Sequence, residues 1–390
     1  MDVKGVCYDV GRVMMGANWR PKFDMKIVKR ELEIIKNDLH ASAVRICGLD
    51  LERLELASEA ALSLGLEVWF SPEMWDHPQE ETLNYLIEAA RKAEGLRIKH
   101  GGRMVFSVGS ELTLFMQGVL EGSNIFERLH SPSFLETIKS GEHNTILNKF
   151  LNSAVNKVRE HFHGPLTYFS VPFEKIQWEN FDFVGVDLYR DARTRETFGQ
   201  LTSSYLAFGK PLIIGETGCC TYQGAEKLGG MGFIISFGMM ERYLGEQIEP
   251  PVSMPEMPEL PAKVDGHYVR DEPLQAREVV EQLKVFDDVG AMGAFVYTFV
   301  SQNSPFNPDP RYDTDMAGYS LVKSYPEKET MEEFVRMAVE QGKEFMNVEL
   351  PREVVMGFLA GVGQHGSTYP EMPWEPKESF RSVAKFYLEH

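Results

Sequence analysis

Short runs of β-branched and aromatic residues alternate along the chain with longer segments whose apolar residues recur at helical spacing. Residues 3–8 (VKGVCY) predict a strand. The segment 24–39 (DMKIVKRELEIIKNDL) predicts a helix, with Ile27, Leu32, Ile34, Ile35 and Leu39 mostly on one face. Strands recur at 42–47 (SAVRIC), 67–71 (EVWFS) and 103–108 (RMVFSV), separated by helices over 51–64 and 79–99. Gly65 is a good stop for the first of these helices. An insertion over 112–141 holds short helical pieces, and a helix over 144–161 leads to strands at 166–170 and 181–188. A helical stretch at 195–207, a strand at 211–215, a helix at 272–289 and an eighth strand at 293–299 complete the series.

Parallel neighbours need crossover connections, and closing the sheet removes its edges. Eight near-continuous apolar strands joined mostly by helices therefore predict an α/β fold, a closed (β/α)8 TIM barrel. Only the link between the fifth and sixth strands is too short for a full helix. An open doubly wound sheet is the competitor, but no GxGxxG follows the first strand and no Walker loop occurs, so the barrel is favoured. The expected barrel spans 1–325, with loop insertions at 112–141 and 217–271, and a helical C-terminal extension, 326–390, packs on it. Within the second insertion, 249–262 (EPPVSMPEMPELPA) is too rich in proline for a long helix and predicts an extended loop. In the extension, 327–347 predicts a helix.

Composition narrows the partners. The chain has 390 residues, is 43% apolar, and carries a net charge of −18. That balance argues against a broad nucleic-acid or anionic-membrane surface. No apolar run reaches the roughly 18–20 residues of a membrane helix, and the N-terminal segment lacks a signal-peptide pattern, so a cytoplasmic location is expected. The four cysteines, including the pair Cys219–Cys220, fit reduced packed thiols better than a disulfide framework or zinc site.

In such a barrel the working residues lie at the C-terminal ends of the strands. Those ends offer Tyr8 and Asp9, Arg45, then Glu73, Trp75 and Asp76. Farther along come Ser110 and Glu111, Asp187 and Tyr189, Glu216, and finally Tyr297 and Phe299 with Gln302 and Asn303 beyond. Glu111 and Glu216, from the fourth and seventh strands, can enter one cavity from opposite sides. Glycoside cleavage needs such a pair, one carboxylic acid to protonate the leaving oxygen and one carboxylate to attack the anomeric carbon. Arg45 and the phenol of Tyr189 would position and ionise Glu216, while Glu111, nearer apolar walls, would keep its proton longer.

Taken together, the chain resembles the clan of (β/α)8 retaining glycoside hydrolases that includes the cellulase and mannanase family. The resemblance rests on Arg45 in AVRI, Glu111 in FSVGSELT, Tyr189 in GVDLYR and Glu216 in LIIGETG, in order over about the first 300 residues. It implies Glu111 as acid/base, Glu216 as nucleophile, a carbohydrate or glycoconjugate substrate, and no metal or other cofactor. The sequence also departs from that pattern. Ser110 stands where an asparagine usually contacts the sugar, and Asp187 stands where the cellulases have histidine. Tyr297 and Phe299 stand where the aromatic platform is often tryptophan. The whole-chain pattern is also similar to a group of barrels labelled abortive-infection proteins, which would imply a phage-defence role.

Trp75, Trp19 and Tyr222 are further candidates for contacting a sugar, since aromatic rings pack on its CH faces. Trp178 reads better as core, as do Gly229–Gly232 as a close-packing segment. His161 and His163 point to different helix faces and make a poor metal pair. Two other readings stay open. One is an inactive barrel that binds a glycan or protein. The other is a metal-dependent isomerase or lyase using Glu73, Glu111, Asp187 and Glu216, against which the scarcity of histidine at strand ends counts. Oligomeric state is not legible.

Overall fold

The computed structural model describes residues 1–236, 268–325, 327, 328, 331 and 362–390. The expected loop at 249–262 and most of the expected helix at 327–347 lie outside the described residues. Eight parallel strands close a barrel: β1 (Val3–Asp9), β2 (Ala43–Gly48), β3 (Glu67–Pro72), β4 (Met104–Ser110), β5 (Leu166–Ser170), β6 (Val184–Asp187), β7 (Leu212–Thr217) and β8 (Gly293–Val296). The seam joins β8 to β1, with Val3 opposite Gly293 and Val6 opposite Val296.

Two apolar layers fill the fold, because each strand is buried on both faces. Inward-facing Val3, Cys7, Ala43, Trp69, Val105, Phe169, Ile213 and Phe295 plug the barrel. Trp69 is fully buried, its ring 5.4 Å from Phe295 and 6.1 Å from Phe169. Such rings fit only where the wall is thin. A Cβ on Gly215 would lie 2.1 Å from Phe169, so glycine is required there to seat that ring. Outward-facing residues such as Val6, Val44 and Ile46 pack under the helices in the larger cluster.

The helices begin where local chemistry starts them. Asp24 caps Met25–Asn37 by accepting from the Lys26 N–H, and Asp50 caps Leu51–Ser63 by accepting from Glu52 and Arg53. Helices Gln79–Lys99, Glu142–Arg159 and Glu272–Asp288 supply further crossovers. Between β5 and β6 the described chain forms only a 3₁₀ turn, Trp178–Asn180, as the short spacing predicts. The stretch 195–207 divides into a helix, Phe198–Ser204, and a 3₁₀ turn, Tyr205–Phe208. No described helix is long and apolar enough to cross a membrane.

The last described segment packs against the outside of the barrel. Trp374–Pro376 pairs antiparallel with Val322–Ser324, and helix Glu378–Glu389 packs along Glu272–Asp288. Trp374 is fully buried and donates its indole N–H to Glu31 at 2.9 Å. Glu31 also binds Arg20 at 2.6 Å and the Tyr8 hydroxyl, so one carboxylate ties the first helix, β1, its following loop and the tail. Tyr387 donates to the Gly5 carbonyl at 2.6 Å, and Lys4 donates to the Tyr387 carbonyl at 2.7 Å.

Register shifts mark the C-terminal ends of β4 against β5, β6 against β7, and β7 against β8. Such irregularities turn side chains away from simple alternation. They fall beside Ser110, Asp187 and Glu216.

Candidate active site

Glu111 follows β4 directly. Its backbone is left-handed, φ 49° and ψ 37°, and it caps the one-turn helix Leu112–Phe115. Its N–H donates to the Phe169 carbonyl at 2.8 Å, and its own carbonyl accepts from Leu114 at 2.8 Å and Phe115 at 3.1 Å. Desolvation by burial, then repulsion from Asp187 and Glu216, pushes its carboxyl well above the usual carboxylate range. That environment favours the protonated form of the carboxyl.

Glu216, on β7, is held on both oxygens. Arg12 approaches Oε1 at 3.0 Å and Arg45 at 3.3 Å, while Tyr189 donates its hydroxyl to Oε2 at 3.1 Å. Arg45, fully buried on β2, also reaches Glu73 at 3.2 Å, Asp187 at 3.4 Å and the Gly215 carbonyl at 3.1 Å. Its guanidinium lies 4.0 Å from the centre of the Phe169 ring, whose seat Gly215 provides. Arg12, in the loop after β1, also clamps Glu73, with Nε 2.7 Å from Oε2, and donates to the Tyr297 hydroxyl at 3.2 Å. Against the desolvation that would raise it, Arg12 and Arg45 hold the Glu73 carboxyl below its ordinary value.

A third carboxyl joins the pair. One oxygen each from Glu111, Asp187 and Glu216 lies within 4.8 Å of the others. Asp187 is buried, accepts from Ser110 at 2.8 Å, and is pushed well above its ordinary value by desolvation, with Glu216 adding to the rise and Arg45 opposing it. Two cations thus face five acids, since Arg12 also lies 3.8 Å from Asp9, and Glu73 and Glu216 are gripped by guanidinium groups. This arrangement can hold an anionic carboxylate opposite a protonated one. The three clustered oxygens are also the described group with metal-ligand spacing; Glu73 is outside it, bound to both arginines.

The remaining candidates are distributed unevenly. Tyr297 sits beside Arg12, and the Tyr189 and Tyr297 rings both approach Tyr319, at 5.4 and 5.9 Å. Trp19 meets Trp75 edge-on at 5.3 Å, but Trp75 is only 8% exposed, with Phe115 stacked on it at 4.2 Å. That stack covers one face of the ring. Tyr222 is buried and donates to the Gly232 carbonyl at 2.9 Å, so its hydroxyl serves packing. Asp76 is bound by Arg128 at 2.8 Å. Phe299 and Trp178 are core. His163 meets Glu94 and His161 meets Arg91 rather than each other. All four cysteines are free and buried. Gly229–Ile234 is a 3₁₀ turn, and a Cβ on Gly230 would lie 3.2 Å from the Tyr189 ring.

Arg12 lies in the loop after β1, outside the strand ends that the sequence singles out. A buried Glu73 at the end of β3 needs a cation, and that requirement was the available signal. Tyr168 and Glu174, behind Glu111, left no local pattern.

Solved structures of similar shape include a GH113 β-mannanase, AaManA from Alicyclobacillus acidocaldarius, in complex with ManMIm. It is 12% identical at a TM-score of 0.51, covering 99% of this chain and 97% of that one. The β-glycosidase BGL167 is 10% identical at a TM-score of 0.49, covering 99% of this chain and 96% of that one. With the first of these the chain shares its fold, a (β/α)8 barrel. No protein-family model matches the chain. No curated protein matches it either.

Proposed function

We propose that the protein is a retaining glycoside hydrolase of the clan named above, acting on a carbohydrate or glycoconjugate without a metal. The observation that carries this reading is the approach of Glu111 and Glu216 oxygens within 4.8 Å at the C-terminal mouth. Retaining enzymes keep their carboxyl pair about 5–5.5 Å apart, whereas inverting ones leave about 6.5–9.5 Å for a water. The two guanidinium groups on Glu216, and the burial that favours the protonated form of Glu111, support the same roles. A bond forms from Glu216 to the anomeric carbon as the glycosidic C–O bond breaks, and the proton of Glu111 goes to the leaving oxygen. Glu111, now a carboxylate, then takes a proton from water. That water attacks the same carbon and releases Glu216. Arg12, Arg45 and Tyr189 hold Glu216 in place throughout, and Ser110, Asp187, Trp19 and Tyr297 shape the sugar site, with Trp75 packed behind Trp19.

The test is turnover of a panel of activated aryl glycosides by the wild type and by Glu216→Gln. Release of aryl alcohol by the wild type, reduced at least about 10³-fold in the variant, supports the nucleophile role. Turnover absent from both sinks the hydrolase reading. The three-carboxyl cluster gives the metal-dependent alternative its one specific support. Stoichiometric divalent metal in purified protein, with turnover abolished by chelation, would favour it instead.

A further inference from the structure

A left-handed backbone at a glutamate persists only where neighbours over-determine it. At Glu111 those neighbours come from β5 and the turn after it. The Thr113 N–H donates to Glu174 Oε1 at 3.0 Å, and the Val171 N–H donates to Oε2 at 3.1 Å. The Tyr168 hydroxyl lies 3.0 Å from both oxygens and accepts from the Leu112 N–H at 2.8 Å. Glu174 and Tyr168 thus bind the first two N–H groups after Glu111, while Phe169 binds that of Glu111 itself. We propose that Glu174 is a positioning residue for Glu111, fixing through Tyr168 and the Leu112–Thr113 backbone where its carboxyl enters the site. The role in catalysis rests on the hydrolase reading; the geometric role does not.

A carboxyl group, with two acceptor oxygens, suits this position. It accepts from Thr113, Val171 and Tyr168 together, whereas a glutamine must turn an NH₂ toward one of those donors. Leu112 and Thr113 open the one-turn helix, so anchoring their N–H groups sets the direction in which the chain leaves β4. The carboxyl is buried, and desolvation pushes it up to about 7 despite its donors. The titratable groups facing it are Tyr168, Tyr205 and Glu111. As Glu174 ionises, its charge raises the affinity of Glu111 for its proton. One residue therefore both aims the acid and helps keep it protonated.

Glu174→Gln and Tyr168→Phe test this in the full-length protein. For Glu174→Gln, kcat on the best aryl glycoside should fall about 10–100-fold, the scale set by misplacing a reacting group, with KM within about twofold. The basic limb of its pH–rate profile should move to lower pH. Tyr168→Phe should lower kcat in the same direction, by less. A merely structural role would reduce folded yield without moving that limb. Crystal structures of wild type and Glu174→Gln decide independently of turnover. A Glu111 carboxyl displaced in the variant, or its φ gone from the left-handed region, supports the assignment. A Glu111 that keeps its place overturns it, as do an unchanged kcat and pH profile in folded variant. If the wild type cleaves no glycoside, the hydrolase reading falls and the crystal comparison alone judges the positioning role.

Discussion

The hydroxyl of Ser110 donates to Oδ2 of Asp187 at 2.8 Å, linking the end of β4 to that of β6 past the intervening β5. Both residues are departures from the glycosidase pattern, and the structure makes each the other's partner. A serine too short to reach far into the cleft instead holds an acid where a histidine is usual. The pair should behave as a unit. In a double-mutant cycle of Ser110→Ala and Asp187→Asn, the two effects on urea-unfolding free energy should fail to add by about 0.5–3 kcal/mol. Additivity within about 0.3 kcal/mol would mean that the contact carries no energy.

Arg12 should matter as much as Arg45. It is 3% exposed and grips Glu73 and Glu216 together. Its removal leaves buried acids facing one guanidinium instead of two. Arg12→Met should lower stability by about 3–5 kcal/mol, the scale for breaking a buried ion pair from one side. Arg12→Lys should recover only part of this, because an ammonium cannot reproduce the fork that meets Glu73, Glu216 and Tyr297. Equilibrium urea unfolding measures both.

The raised carboxyl of Glu174 gives stability a definite pH dependence. Its folded value of about 7 lies above the ordinary value of about 4.3, so between these pH values the native state binds more protons than the unfolded chain. Stability from this group is therefore present below about pH 4.3 and lost as pH rises toward 7. Wild type minus Glu174→Gln stability, measured at pH 4.5, 6 and 7.5, should decline across the series, at no more than about 1.4 kcal/mol per unit. A flat or rising difference would contradict the assignment.

Trp374 should act as a fastener of the barrel although it lies far from β4 and β7 in sequence. Trp374→Phe keeps most of the packing but leaves Glu31 without its indole donor, and should cost about 1–3 kcal/mol. Trp374→Ala also opens a cavity and should cost about 3–5 kcal/mol. Comparing the two unfolding midpoints separates the hydrogen bond from the packing. Equal losses would leave no role for the indole N–H.

The barrel was legible because its signal is repeated. Eight apolar runs, each with a helical segment near it, leave few alternatives, and even the missing helix between β5 and β6 follows from spacing. The carboxylates were visible because acids ending apolar strands are conspicuous. Arg12 was less so, since a loop arginine looks solvated until Glu73 and Glu216 are brought beneath it. Trp75 shows the reverse: its position after β3 is right for a platform, yet Phe115, from a helix forty residues on, stacks against it. Glu174 belongs to contacts that only the closed fold creates.

The seam of the barrel has a consequence for how the protein is made. Val3 pairs with Gly293, so β1 leaves the ribosome nearly three hundred residues ahead of the strand that will cover its free edge. Tyr387 and Trp374 reinforce that closure later still, through Gly5 and Glu31. Until β8 is made, β1 has no partner on that edge, and an unpaired strand edge is a template for pairing with the wrong chain. Slower synthesis lengthens that exposure, so the yield of closed barrels should depend on synthesis rate as well as on the closing contacts.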